Sequence, residues 1–218
     1  DKTAAILVEP IQGEGGINPA STAYLQSLRD IADEFNTLLI FDEVQCGMGR
    51  SGKLFAYEIA NVAPDIMGLA KGIGGGFPVG AVLATEKAAS GMVPGTHGST
   101  YGGNPLAMAA ANAVLDVMLE KDFLASVVKK GTKLKNDLVS LVKKHSAVLE
   151  SVRGAGLMLG IKSIGPNLEL MAAFRENKLL TVVAGENVVR VLPPLNVSEE
   201  EISEAVQKID QTCSQVSS

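Results

Sequence analysis

Four short apolar runs in the first half of the sequence limit the folds that this 218-residue chain can adopt. None of them alternates polar and apolar residues, which is typical of strands buried on both faces of a parallel or mixed sheet covered by helices. The runs are AAILV (4 to 8), LLIF (38 to 41), IMGLA (66 to 70) and VGAVLAT (79 to 85). Apolar residues recur at helical spacing from Tyr24 to Phe35, so the first two runs and this helix predict a βαβ unit.

The second half of the sequence has a different pattern. From about Pro105 it favours helix almost throughout, with a weak point at Gly131, and we predict two helices there. The stretches VRGAGLMLGIKS, LLTVVAG and VVRVLPP follow, with a helix near 167 to 177, and Ser198 and Glu201 have the capping-box spacing that begins a last helix. That helix is expected to bury Ile202, Val206 and Ile209. We therefore predict one domain over residues 1–118 and a small α+β domain over residues 119–218.

Composition excludes several classes of protein. A net charge of −5 offers no basic surface for nucleic acid, so small-molecule ligands are favoured. Cys46 and Cys213 form no CxxC pair, which favours free thiols and a cytoplasmic location. No apolar run approaches the roughly 18 residues of a membrane span. The chain opens with DKTAAILVEP, without methionine or signal peptide, so we expect it to come from the middle of a longer protein.

Polar residues follow three of the apolar runs. Glu9 follows the first, Asp42 the second and Lys71 the third. If the runs are parallel strands, all three side chains emerge at the carboxyl edge of one sheet, where open α/β folds bind ligands. A lysine can attack an aldehyde, and a carboxylate can keep a pyridine nitrogen protonated, which are the two groups that pyridoxal phosphate requires. A single charged residue at a strand end is also common on ordinary surfaces.

Glycine-rich stretches near these residues are less specific. Lys71 begins KGIGGG, and GTHGSTYGGN (95 to 104) offers the hydroxyls of Ser99 and Thr100 among flexible amides, so that an ordinary turn and a phosphate site both remain open. The G-x-G-x-x-G, G-x-x-x-x-G-K-[ST] and G-x-S-x-G motifs are absent, which disfavours dinucleotide, P-loop and hydrolase sites. His97 and His145 are the only histidines, so HExxH cannot occur and a metal site has few candidates.

Four ordered stretches resemble the class III, fold type I, pyridoxal-phosphate aminotransferases, and within them the acetylornithine enzymes of arginine biosynthesis. The stretches are VEPIQGEGGINPA, LLIFDEVQCGMGRSGKLFAYE, PDIMGLAKGIGGGFPVGAVL and GTHGSTYGGNPLA, and RGAGLMLG and VVRVLPPL resemble the family's C-terminal domain. The resemblance implies part of the mixed, mostly parallel sheet of the large domain, followed by the small domain. The family also has an upstream stretch with a phosphate cup, a stacking aromatic residue and a second substrate-binding arginine, so this chain is expected to be the C-terminal part.

The resemblance also implies the roles of individual residues. Lys71 is expected to form the Schiff base and move the substrate proton, and Asp42 is expected to pair with the pyridine nitrogen. Thr100 would bind the phosphate of the neighbouring subunit's cofactor in a homodimer, with Ser99 beside it at the substrate. The remaining expected cofactor-binding residues are Glu43, Val44 and Gln45.

Two further residues are implied to bind substrate. Arg190 matches the arginine that binds the α-carboxylate of glutamate or 2-oxoglutarate, a task that suits a planar two-donor group. Glu14 resembles the acidic residue that masks this arginine while the other substrate reacts.

The resulting hypothesis is transfer of the δ-amino group of N-acetylornithine to 2-oxoglutarate, giving N-acetylglutamate semialdehyde and glutamate. Succinylornithine, ornithine or 4-aminobutyrate remain alternative donors. The rival hypothesis is that the chain as it stands is a non-catalytic fragment, with a folded small domain that offers only an association surface.

Overall fold

The computed structural model describes residues 2–216, which divide into two compact units. The first unit comprises the residues up to Pro10, residues 20–49 and residues 53–123. The second comprises residues 11–19, residues 50–52 and the chain from Leu124 onward. Two short segments from the first half of the sequence therefore belong to the second unit, whereas the sequence suggests a single division near residue 119.

The first unit combines strands with helices, labelled in chain order over both units. Its strands are β1 (Ala5–Val8), β4 (Leu38–Asp42), β5 (Ile66–Leu69) and β6 (Ala81–Ala84). Its helices are α1 (Thr22–Glu34), α2 (Tyr57–Ala60), α3 (Glu86–Ala89), α4 (Pro105–Met118) and the 3₁₀ helix Lys71–Gly74. The four predicted strands and the βαβ unit are confirmed.

The four strands form one sheet in the order β1-β4-β5-β6. β1, β4 and β5 are parallel, with Val8 opposite Phe41 and Asp42 opposite Gly68, whereas β6 is antiparallel to β5. The sheet is therefore mixed and mostly parallel, as predicted. The parallel strands end at a common edge, and this edge carries the polar residues that the sequence singled out.

Helix α1 covers one face of this sheet. Its N-terminus is capped by the Ser21 hydroxyl, which accepts a hydrogen bond from the Tyr24 amide, and its buried residues meet those of β4. The resulting core contains Leu25, Ala32, Leu39, Phe41, Ala60 and Val62.

The opposite face of the sheet is open in this chain. Leu7 is 68% exposed and Val82 is 75% exposed, although both lie within strands. The prediction that these strands are buried on both faces is therefore wrong for this chain, because α1 packs against the side of the sheet that carries Leu39 and Phe41. The non-alternating sequence pattern indicated the strands correctly but not how many faces are covered.

The second unit is built around an antiparallel sheet in the order β7-β8-β10-β9, together with a two-stranded ladder of β2 and β3. Its strands are β2 (Ile11–Gln12), β3 (Asn18–Pro19), β7 (Leu149–Ala155), β8 (Met158–Ser163), β9 (Val182–Ala184) and β10 (Val188–Val191). Its helices are α5 (Phe123–Lys144), which begins at the last residue of the first unit, α6 (Asn167–Glu176) and α7 (Glu199–Val216). The small α+β fold is as expected.

On α7, Ile202 and Ile209 are buried as predicted, whereas Val206 is only half-buried. The Ser198 amide donates to the Glu201 carboxylate at 2.7 Å and the Glu201 amide donates to the Ser198 hydroxyl at 3.1 Å, which confirms the capping box. Helix α5 continues through Gly131, which the sequence marks as a weak point. A side chain there would collide with the backbone of Gly156, so the glycine allows close packing within this unit.

The segment 50–52 is fixed in the second unit by Arg50. Its guanidinium donates to the carbonyl oxygens of Leu157 at 3.1 Å and Pro193 at 2.5 Å, and its own carbonyl accepts from the Leu157 amide at 3.0 Å. Burial lowers the pKa of this guanidinium from its ordinary value. The segment thus fastens the β7–β8 turn to the chain that follows β10.

Candidate active site

Asp42 and Lys71 follow neighbouring parallel strands. Asp42 is the last residue of β4 and lies opposite Gly68 in β5. Lys71 comes two residues after the end of β5 and begins the 3₁₀ helix. Because paired strands lie about 4.8 Å apart, both residues lie at the same carboxyl edge of the sheet, as the sequence predicts.

One oxygen of the Asp42 carboxylate remains available. Oδ1 accepts a hydrogen bond from the Val44 amide at 2.9 Å, which holds the carboxylate against the turn that follows β4. Within residues 2–216, Oδ2 accepts no hydrogen bond. A Cβ placed on Gly68, opposite Asp42, would meet no atom within 4 Å. A free acceptor beside open space fits a flat heterocycle with a protonated nitrogen, so these residues fit pyridoxal phosphate.

The backbone at Lys71 is strained. Its φ of +47° lies in the left-handed region, which costs a non-glycine residue about 1–2 kcal/mol. Packing explains two of the glycines that follow: a Cβ on Gly74 would lie 2.8 Å from Val79 Cγ1, and one on Gly75 would lie 2.7 Å from Val114 Cγ2. Gly75 also has a φ of +57°. The KGIGGG stretch therefore brings the 3₁₀ helix close to α4.

Glu43 is buried beside Asp42 but faces the interior of the unit. Its two carboxylate oxygens accept hydrogen bonds from the amides of Ala56 at 2.6 Å and Tyr57 at 2.8 Å, at the beginning of α2. Burial raises the pKa of this carboxyl, and the two backbone hydrogen bonds act in the opposite direction. Both oxygens therefore already accept hydrogen bonds from the backbone. That Glu43 binds the cofactor stays a prediction. Val44 and Gln45 are half-buried in the turn after β4.

Ser99 and Thr100 lie in the segment between α3 and α4, and both are exposed. In the part of the chain that the structure describes, neither hydroxyl makes a hydrogen bond, and none joins them to Asp42 or Lys71. Their predicted contacts with phosphate and substrate stay predictions.

Glu14 and Arg190 form an ion pair within the second unit. Arg190 lies on β10, opposite Gly160 of β8 and Val182 of β9. Its Nη1 lies 2.5 Å from Glu14 Oε1, and the arginine side chain is 11% exposed whereas that of the glutamate is 73% exposed. A largely buried guanidinium is thus paired with a carboxylate that reaches it from solvent. Another carboxylate could replace Glu14 without disturbing the core.

The segment that carries Glu14, residues 11–19, is called the Glu14 loop below. It begins and ends in the ladder of β2 and β3, and its Glu14 carbonyl accepts a hydrogen bond from the Gly185 amide at 2.7 Å. Ile17 is completely buried, and a Cβ placed on Gly160 would lie 2.9 Å from Ile17 Cγ1. Gly160, at the end of the RGAGLMLG stretch, therefore makes room for this isoleucine.

Arg153 also contacts the Glu14 loop, and the sequence did not single it out. Its Nη1 donates to the Asn18 Oδ1 at 2.6 Å and forms an ion pair with Glu186 in the turn between β9 and β10. The hydrogen bond from Arg153 lowers the pKa of the Glu186 carboxyl. Arg153 lies in the RGAGLMLG stretch, but no local pattern shows that its partners are 135 and 33 residues away.

Two kinds of feature are absent from residues 2–216. They contain no group of three or more His, Cys, Asp or Glu side chains arranged to hold a metal ion. None of the helices in this range combines the length and the apolar character needed to cross a bilayer.

Comparison with known proteins identifies the family. The model for class-III aminotransferases matches residues 1–213. The chain belongs to the class-III aminotransferase family, whose members depend on pyridoxal phosphate.

Relatives and solved structures agree with this assignment. The chain is 57% identical over its whole length to acetylornithine aminotransferase 1 of Bradyrhizobium diazoefficiens, of which it covers 54%. An acetylornithine aminotransferase structure from Elizabethkingia anophelis superimposes with a TM-score of 0.91 at 38% identity, covering 97% of this chain and 57% of that one. An ornithine aminotransferase from Toxoplasma gondii, with PLP partly occupying its active site, gives a TM-score of 0.92 at 33% identity, covering 98% and 51%. The chain spans about half the length of the curated relatives that it matches.

Proposed function

We propose that the whole protein transfers the δ-amino group of N-acetylornithine to 2-oxoglutarate, giving N-acetylglutamate semialdehyde and glutamate in arginine biosynthesis. The observation that carries the proposal is the position of Asp42 and Lys71 after neighbouring parallel strands at one sheet edge, in a chain of the class-III aminotransferase family. Identities of 50% to 57% to curated acetylornithine aminotransferases support this donor.

Lys71 and Asp42 divide the chemistry. Bound pyridoxal phosphate supplies an electron sink that stabilises negative charge at the substrate carbon. Lys71 would hold the cofactor through its Nζ, and that amine, once released, would move the proton between the substrate and the cofactor. The free Oδ2 of Asp42 would keep the ring nitrogen protonated, and the Val44 amide keeps the other carboxylate oxygen in place.

The remaining predicted residues bind parts of the cofactor and substrate. Val44 would pack on one ring face and Gln45 would hydrogen-bond near the phenolic oxygen. Thr100 would bind the phosphate held by the partner subunit, with Ser99 beside it, so the active enzyme would be a homodimer. The exposure of Ser99 and Thr100 supports contact with a second subunit. A cytoplasmic location is part of the same proposal.

Arg190 and Glu14 would let one site accept two different substrates. While the amine donor reacts, Glu14 covers the Arg190 guanidinium. When 2-oxoglutarate enters, its α-carboxylate takes the place of Glu14. The exposure of Glu14 supports this exchange. When Glu14 leaves the guanidinium, its own charge is already in water, and the incoming carboxylate pairs with the buried arginine.

Ornithine is the second candidate donor, because a solved ornithine aminotransferase from Plasmodium yoelii shares the fold at 37% identity. Succinylornithine and 4-aminobutyrate are compared as further donors. The test measures the half-reaction of the whole protein with each of the four amines, followed by the half-reaction with 2-oxoglutarate. We expect the highest kcat/KM with N-acetylornithine. A preference for any of the other three would overturn the donor assignment.

Two lysine variants complete the test. Lys71→Ala is expected to lower kcat by at least about a hundredfold, because the amine that moves the proton is lost. Lys121→Ala, which removes an exposed lysine, is the matched control and is expected to keep full activity.

The rival possibility is that this 218-residue chain alone is non-catalytic. Adding pyridoxal phosphate, reducing with borohydride and mapping the labelled lysine distinguishes the two. A label on Lys71 shows that the isolated chain binds cofactor covalently at the proposed residue. A chain without this label is a non-catalytic fragment.

A further inference from the structure

We propose that Arg153 is a positioning residue, which holds the Glu14 loop closed so that Glu14 faces Arg190. The inference rests on the proposed exchange of carboxylates at Arg190 and adds a residue that touches neither substrate nor cofactor in that proposal. It predicts that Arg153 sets how readily Glu14 yields to an incoming carboxylate.

Arg153 joins the two segments that must meet. Its Nη1 donates to Asn18 at the end of the Glu14 loop and pairs with Glu186 in the turn between β9 and β10. The same turn provides the Gly185 amide that donates to the Glu14 carbonyl at 2.7 Å. Arg153 and Gly185 therefore hold the loop to the same turn at two separate points.

Asn18 passes this constraint to the backbone next to Glu14. While its Oδ1 accepts from Arg153, its Nδ2 donates to the Gly15 carbonyl at 3.1 Å and to Gln12 Oε1 at 3.3 Å. An asparagine held on one side by a charged donor keeps its amide group in one orientation. The carbonyl of Gly15, the residue after Glu14, is thus connected to Arg153 through the side chain of Asn18.

The turn between β9 and β10 is a firm support. Asn187 accepts from the Asn167 amide at 2.9 Å and donates to the carbonyl oxygens of Ser163 at 2.7 Å and Gly165 at 2.8 Å. Asn167 in turn donates to the Ala184 carbonyl at 3.0 Å. Since the turn is bound to the loop between β8 and α6, Arg153 fastens the Glu14 loop to a turn that is itself held in place.

The Glu14 loop needs such a fastening because its backbone is strained. Ile17 is buried with a φ of +53°, a conformation that is unfavourable for a β-branched residue. Strained residues persist where neighbouring contacts over-determine them. Removal of the Arg153 contacts is therefore expected to let the loop open more often, which exposes Arg190 to other carboxylates.

The consequence can be measured as an apparent affinity. When a site is available in only a fraction of the molecules, the apparent dissociation constant of its ligand equals the intrinsic constant divided by that fraction. In Arg153→Gln we expect the KM for 2-oxoglutarate to fall about threefold to tenfold, because Glu14 covers Arg190 less often. The KM for the amine donor is expected not to fall. An impaired fold would raise the KM values or lower kcat in both half-reactions.

The experiment compares variants of the whole protein in the 2-oxoglutarate half-reaction. Arg175→Gln, an exposed arginine on α6, is the matched control and is expected to leave both KM values unchanged. Arg153→Lys keeps the charge but loses the planar guanidinium with its several donors, and we expect an intermediate fall in the KM for 2-oxoglutarate. Asn18→Asp keeps an acceptor for Arg153 but loses the donor to Gly15, and we expect a change in the same direction.

A double variant separates this inference from the proposed function. Glu14→Gln alone is expected to lower the KM for 2-oxoglutarate, and adding Arg153→Gln is expected to change it no further, because Arg153 acts through Glu14. No effect of Glu14→Gln would overturn the carboxylate exchange itself. A normal response to Glu14→Gln with none to Arg153→Gln, or an equal Arg153 effect in both backgrounds, would overturn only the positioning role.

Amide hydrogen exchange provides a readout that does not depend on turnover. Residues 11–19 are expected to exchange at least about tenfold faster in Arg153→Gln, while the helices of the second unit keep their protection. Unchanged exchange in the Glu14 loop would contradict the inference.

Discussion

The carboxylate of Glu14 lies 2.5 Å from the guanidinium of Arg190, although the residues are 176 positions apart in the chain. The arginine is almost buried and the glutamate is mostly exposed. Glu14 can therefore return to water, whereas the guanidinium that it leaves behind stays buried and needs another carboxylate in its place. The arrangement favours a carboxylate-binding group that Glu14 covers reversibly.

Replacement of Arg190 by lysine is expected to weaken binding of 2-oxoglutarate by about tenfold to a hundredfold. Lysine keeps the charge but offers a point donor instead of a planar fork, so one charged hydrogen bond worth about 1.5–3 kcal/mol is lost. The measurement is the KM for 2-oxoglutarate in the second half-reaction, with the donor half-reaction as internal control. An unchanged KM in an active Arg190→Lys enzyme would show that the fork is not used.

Replacement of Glu43 by glutamine is expected to lower the free energy of unfolding by about 1–3 kcal/mol. Both carboxylate oxygens accept backbone amides, and the amide group of glutamine would turn a donor toward one of them. Urea denaturation measures the change, and Glu120→Gln at an exposed position is the control. Equal stabilities of the two variants would contradict the assigned role at the beginning of α2.

A methyl group added at Gly160 is expected to destabilise the second unit by about 1–3 kcal/mol. The new Cβ would lie 2.6 Å from Val188 Cγ1 and 2.9 Å from Ile17 Cγ1. Gly165→Ala is the matched control, because a Cβ there meets no atom within 4 Å. The two variants are compared by thermal or urea unfolding, and a tolerated Gly160→Ala would show that Ile17 is not closely packed.

The pair of His145 and Asp210 is expected to make the free energy of unfolding depend on pH in the acid range. Asp210 Oδ1 lies 2.5 Å from His145 Nε2, and the hydrogen bonds from His145 and then Lys144 lower the pKa of the Asp210 carboxyl. A lowered pKa means that this stabilisation is present above the unfolded pKa of about 3.9 and is lost as the pH falls through the lower folded value.

The corresponding variant is Asp210→Asn. It is expected to cost up to about 1 kcal/mol at pH 7, and the difference from the unmodified protein should shrink as the pH falls below about 4. Urea denaturation at several pH values measures it, with Asp137→Asn, which removes the Lys133 pair on α5, for comparison. A difference that stays constant into acid would mean that the carboxylate charge is not what stabilises this contact.

Much of the fold could be predicted because its signals are local. The strands at 5–8 and 38–42, and the capping box at Ser198 and Glu201, depend on residues within a few positions of one another. The position of Asp42 and Lys71 at one edge was also predictable, because parallel strands bring their carboxyl ends to the same edge. The KGIGGG stretch could not be explained from local sequence, since Gly75 is required by its close approach to Val114 of α4, 39 positions away.

The amino-acid sequence by itself determined the four strands of the first sheet, the long helices and the edge at which the candidate catalytic residues emerge, because short-range periodicity and chain direction are enough to specify them. Only the tertiary structure decided that residues 11–19 belong to the second unit, that Glu43 faces inward and that Arg153 holds the Glu14 loop. These features depend on which distant segments meet when the core closes. Contacts of this kind leave no repeating pattern in the sequence, because each partner is chosen by packing and hydrogen bonding across the fold.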